Sequence, residues 1–129
     1  MPPKLWIMIG VVIVMAAVIA ASVGWMAHAR AQSDVAEAKW QAAEAEMESI
    51  RRQILKYCLE HDFEYPSALA DLTPGYLPAV PRDPFTGQPY WYVPSESGFT
   101  LTCLGADGTT GGQDIPDRDI IFDEKGERP

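Results

Sequence analysis

"ARAQSDVAEAKWQAAEAEMESIRRQILKYCLEHD", residues 29 to 62, decides the architecture. It holds no proline and no glycine, and Ala, Glu, Gln, Met and Arg dominate it. All of these are good helix formers. Ala36, Trp40, Ala43, Met47, Ile50, Ile54, Tyr57 and His61 recur at alternating steps of four and three. That spacing puts them on one helix face. Glu37, Glu44, Glu48 and Arg51 fall off the stripe, and Glu48 stands one turn before Arg52 as a favourable pair. The stripe is either a coiled-coil seam or the face that receives a small domain. It lasts only about four heptads, which weighs against a strong coiled coil.

Upstream lies "LWIMIGVVIVMAAVIAASVGWMA", Leu5 to Ala27, without a formal charge. At 1.5 Å per residue a helix of that length crosses a hydrocarbon core of ~30 Å. Trp6 and Trp25 stand near its ends, where amphipathic rings favour the headgroup zone. The reading is a membrane-spanning helix that continues into the stripe. The rival is a cleaved signal peptide, since "AHA" (27–29) and "ARA" (29–31) resemble cleavage sites. The apolar run, however, exceeds the roughly 7–15 residues of a signal core. Lys4 and the terminal amine flank one side; Arg30, soon offset by Asp34 and Glu37, flanks the other. The positive-inside rule therefore places the N-terminus in the cytoplasm and the acidic remainder outside it.

Downstream, Pro66 disfavours helix at Tyr65 and suits the first position of a short helix over 66–72. "TPGYLPAVPRDP" (73–84) is an irregular connection. "PYWYV" (89–93), "FTLTCL" (99–104) and "DIIF" (119–122) read as strands, with turns "FTGQ" and "SESG" before the first two. Alternation puts Phe99, Leu101 and Cys103 on one face. The polar tail after Phe122 is expected to fray. The class is α+β: a long N-terminal helix packed on an antiparallel sheet of about three strands. Three segments follow: an anchor (1–29), the continuing helix (30–64) and a sheet with its loops (65–129).

The 129 residues carry a net charge of −8, and only Lys4 is charged before Arg30. So acidic a domain lacks the Lys/Arg clusters that phosphate contacts need, which excludes non-specific nucleic-acid binding. Cys58 and Cys103 either pair, if the domain is exported, or pack as small apolar side chains. His28 and His61 are separated, and a zinc site needs about four N/S ligands. No nucleophile elbow, HExxH or phosphate loop occurs. Asp62 and Glu64 flank Phe63 with nothing to tune them as an acid–base pair. No enzyme is expected.

"LGADGTTGGQDIPDRDIIF" (104–122) is the remaining chemistry. Its aspartates sit among glycines that let carbonyls turn inward. Ca²⁺ accepts six to eight such oxygens, but the spacing is not an EF-hand, and a solvated acidic loop is the competing reading.

Two signatures in order then carry a resemblance. Tyr65, Pro66, Pro81, Asp83, Pro84, Gly87, Pro89 and Tyr90 form the first. Leu104, Gly105, Asp107, Gly108, Gly111, Gly112, Asp119 and Ile120 form the second. Over about residues 30 to 122 the chain resembles the major pseudopilin of type II secretion. The resemblance implies a pilin-like fold, a bacterial inner-membrane anchor with a periplasmic domain, and other pseudopilins or secretion-assembly proteins as partners. Self-association would run through the long helix. It also implies Ca²⁺, with carboxylates from Asp107 and Asp119, the Leu104 carbonyl, and Asp117 as an extra ligand. Asp114 is left as a solvated bystander. Two departures stand out. Ile121 has no side-chain oxygen where relatives often carry a polar residue. Relatives also have a leader ending in Gly before Phe-Thr-Leu-Ile-Glu; here Gly10 precedes Val11, and the apolar run holds no carboxylate. An uncleaved anchor is therefore expected, and with it a second possibility: an exported binding module that does not polymerise.

Overall fold

Pro3 opens a helix whose interior contains no other proline, and at that first position its missing N–H costs nothing. In the computed structural model, which describes residues 2–128, this helix, α1, runs Pro3–Glu60. The chain divides into two compact units, one up to Val35 and one from Ala36 onward. From Pro3 onward the first unit is helix. It contains a stretch long and apolar enough to cross a membrane, none of it buried.

In the second unit α1 buries Trp40, Ala43, Met47, Ile50, Ile54 and Cys58. The stripe thus ends at Cys58, not at the expected Tyr57 and His61. An α-helix turns every 3.6 residues, so a 4-3 repeat drifts by ~20° per heptad and the next residue rotates inward. Tyr57 is left half-buried, and its ring stacks on exposed His61 at 3.8 Å between centroids. Glu48 pairs with two arginines. Arg51 clasps Glu48 at 2.7 Å and 2.8 Å, and also donates to the Glu124 carbonyl at 3.3 Å. The expected pair with Arg52 is also present, longer, at 3.8 Å.

After Glu60 the chain turns through two left-handed residues, Asp62 (φ 53°) and Phe63 (φ 67°). Phe63 N–H donates to the Cys58 carbonyl at 2.9 Å, closing the helix end. The expected short helix is a 3-10 turn confined to Leu69–Leu72. Asp71 explains the late start. Its carboxylate accepts from Ser67 Oγ (2.7 Å) and Ala68 N–H (3.0 Å), so these donors are satisfied ahead of the first turn.

Four antiparallel strands follow in sequential order: β1 (Trp91–Ser95), β2 (Gly98–Cys103), β3 (Ile120–Asp123) and β4 (Gly126–Glu127). β1 starts two residues later than expected and runs through Pro94, which an edge strand tolerates. Leu101 pairs with Phe122 and Cys103 with Ile120, so both strands present one apolar face. That face meets the α1 stripe, and Leu69, Leu72 and Tyr90 complete the core. The stripe is a packing face for this sheet.

The tail past Phe122 is ordered through Arg128, which corrects the expected fraying. Asp123 Oδ1 accepts from the N–H groups of Lys125 (2.8 Å) and Gly126 (3.2 Å). Arg128 Nε then closes on Asp123 Oδ2 at 2.7 Å, and its N–H on the Ile121 carbonyl at 2.7 Å. These contacts make β4 the fourth strand.

Candidate functional site

The loop between β2 and β3 folds around glycines at positive φ. Gly105 (φ 68°) lies under three consecutive carbonyls, those of Pro116, Asp117 and Arg118; a Cβ there would come within 2.7–2.9 Å of each oxygen. Gly112 (φ 75°) lies against the Asp117 carbonyl in the same way. No side chain fits at either position. Two of these carbonyls have donors: Ala106 N–H to Pro116 O (2.9 Å) and Trp40 Nε1–H to Arg118 O (2.7 Å).

Asp119 ties the loop together from the start of β3. Its Oδ2 accepts from Gly111 N–H at 2.9 Å, and its own N–H donates to the Gly111 carbonyl at 3.1 Å. Its Oδ1 is buried and, among the described residues, has no hydrogen-bond partner. Such an oxygen lacks ~1–3 kcal/mol of compensation for the water it has lost. Asp107 is exposed, and its carboxylate accepts from the Thr109 N–H (3.0 Å) and hydroxyl (2.9 Å). These bonds, the N–H first, hold it below the usual carboxylate range, so it is ionised at neutral pH. The Asp117 side chain is exposed, and what faces Gly105 and Gly112 is its carbonyl. Leu104 is half-buried at the end of β2, and Asp114 is exposed, its carbonyl taking the N–H groups of Asp117 and Arg118. Among the described residues, no three His, Cys, Asp or Glu side chains converge as metal ligands. A hard cation here would have to combine carboxylates with carbonyls, which is what Ca²⁺ accepts.

The clasp between loop and helix was not legible in the sequence. Besides the Trp40 hydrogen bond, the Arg118 guanidinium lies 4.9 Å from the Trp40 ring centroid and 3.2 Å from Glu127 Oε1. Trp40 was visible only as a member of the apolar stripe. A tryptophan among alanines carries an N–H that needs a partner when buried, and that was the available signal.

The first signature is structural in the same sense. Asp83 is buried, its Oδ1 accepting from Phe85 N–H (2.7 Å) and its Oδ2 from the Cys103 thiol (3.3 Å). Burial, foremost, pushes that thiol up to about 12, so Cys103 is no nucleophile. Cys58 and Cys103 are both buried and unbridged. The Tyr90 hydroxyl donates to Glu46 Oε2 at 2.6 Å, anchoring the connection to α1. His61 is exposed and bonds the Tyr57 carbonyl through Nδ1 (2.9 Å), while His28 bonds Gln32 (3.0 Å).

Asp83, Tyr90, Gly105, Gly112 and Asp119 thus hold the connections and the loop of a domain made of one helix and a four-stranded sheet. The family model for type II secretion system protein G matches residues 30–122. The chain belongs to that family. A comparison with curated proteins gave no match. As a pseudopilin of the protein G family it is built for structure: its buried polar groups hold turns and loops in place.

Proposed function

We propose that this pseudopilin is a membrane-anchored structural subunit of a type II secretion-type envelope assembly, with its sheet domain on the periplasmic side and a loop stabilised by Ca²⁺. The observation that carries the reading is the pairing of the family match with one uninterrupted helix whose first part is apolar and unburied. The apolar part anchors the chain, and the domain built on the rest of α1 is the rigid body presented to other subunits. No catalysis is assigned to it.

Asp119, through its unpartnered Oδ1, and Asp107, ionised beside Thr109, would hold the cation with the carbonyls of Leu104 and Asp117. Arg118 and Arg128 line a groove beside Asp119, but Glu127 and Asp123 neutralise them. Bound Ca²⁺ supplies positive charge to a carboxylate-rich loop, and favours the folded state by RT ln(1 + [L]/Kd).

A second reading, an exported module that does not polymerise, is favoured by one fact: the run from Leu5 to Ala27 holds no carboxylate. Crosslinking in membranes separates the two. Cysteines placed at exposed Val12 and Ile19 are oxidised; the native thiols are buried and do not interfere. Ladders of higher oligomers are expected of a subunit. Monomer at every oxidant concentration would favour the module.

A further inference from the structure

Beyond the loop, the exit of α1 carries exposed apolar and acidic side chains that neither the core nor the family signatures use. Phe63 is 74% exposed and Leu59, four residues earlier, is 69% exposed. Beside Phe63 opens a groove of about 490 Å³, walled by Phe63, Tyr65 and Pro94 and carrying Glu64 and Glu96. Among the described residues, no Lys or Arg lines it. Asp62, which precedes Phe63, is also exposed. Tyr65 is fixed from behind, its ring 5.7 Å from buried Phe99. Glu96 is held by the two-residue turn that joins Ser95 to Gly98.

We propose that this groove receives a basic segment of a partner protein, an Arg or Lys beside an apolar residue. Charge selects this occupant. A second copy of so acidic a chain would bring further carboxylates toward Glu64 and Glu96. A guanidinium instead lies over an aromatic wall while pairing with the carboxylates at its rim, and an adjacent apolar side chain covers Phe63 and Leu59. The contact is independent of calcium and of assembly into a fibre. Phe63 has no packing role that would explain a bulky side chain in a left-handed conformation, where glycine is the usual residue.

The test titrates a peptide of alternating arginine and leucine into the full-length, isotope-labelled chain in an uncharged detergent. A twin with glutamate for arginine is the control. The amide signals of Phe63, Glu64, Ser95 and Glu96 are expected to shift with the basic peptide and not with its twin. Glu64→Gln with Glu96→Gln should weaken binding on the order of tenfold. Phe63→Gly should weaken it similarly while leaving the melting temperature no lower than that of the parent chain, which separates loss of contact from loss of fold. Binding unchanged in both variants, shifts centred elsewhere, or self-association through these residues without peptide would each overturn the proposal.

Discussion

Trp40 shows how much one residue can join. It fills the core between α1 and the sheet, donates to the Arg118 carbonyl at 2.7 Å and lies under the Arg118 guanidinium. Trp40→Phe keeps most of the buried ring and removes the N–H. A destabilisation of ~1–2 kcal/mol in denaturant unfolding is expected, since a partly buried carbonyl loses its donor. Glu127 makes the opposite case. Burial first, and then the hydrogen bond and charge of Glu44, raise its carboxyl above the usual range. The fold therefore favours the protonated form. That contribution is complete below the ordinary carboxylate range and is lost as pH rises through the raised value. Glu127→Gln is expected to raise the melting temperature at pH 7, by ~1–2 °C, and to bring no gain near pH 4. Neither residue's role could be read from sequence. The partners, Arg118 and Glu44, lie far away in the chain and meet them only through the fold.

At the scale of elements, α1 and the apolar faces of β2 and β3 were legible because periodicity reports burial directly. Ile54, fully buried, is typical: Ile54→Ala is expected to cost ~2–5 kcal/mol, whereas Leu59→Ala, at an exposed position, should stay within ~0.5 kcal/mol. The end of the stripe was not legible, because a 4-3 repeat cannot be distinguished from a 3.6 repeat over so few turns. The fourth strand was hidden for another reason. Gly126–Glu127 has no apolar pattern, and it exists because Asp123 caps the turn and Arg128 closes on Asp123. The Arg128 hydrogen bond, foremost, and the Lys125 N–H lower the Asp123 carboxyl. Its stabilisation is present above the ordinary carboxylate range and is lost as pH falls through the lowered value. Asp123→Asn should therefore lower the melting temperature at neutral pH, with the difference from the parent chain closing in acid. Thermal scans of both proteins across that range check it.

At the scale of the whole molecule, the chain combines two chemistries. An apolar helical segment suits a membrane, and an acidic α+β domain is built around a sheet and a glycine-rich loop. The order of the signature residues was enough to place the domain in its family, and the family match covers the same stretch, 30–122. The candidate cation site was legible only in part. Sequence singled out Asp119, and the structure leaves its Oδ1 buried without a partner. Sequence also gave Asp117 as an extra ligand, but could not show that its side chain is exposed while its carbonyl packs against Gly105 and Gly112. Calorimetry of the full-length protein in detergent, with Ca²⁺ and then with EDTA, is the decisive measurement, repeated on Asp119→Asn. A rise in melting temperature with Ca²⁺ is expected, on the order of 10 °C for a site ~100-fold saturated, reversed by EDTA and abolished in Asp119→Asn. A melting temperature indifferent to Ca²⁺, or a response that survives Asp119→Asn, would contradict a cation-held loop centred on Asp119.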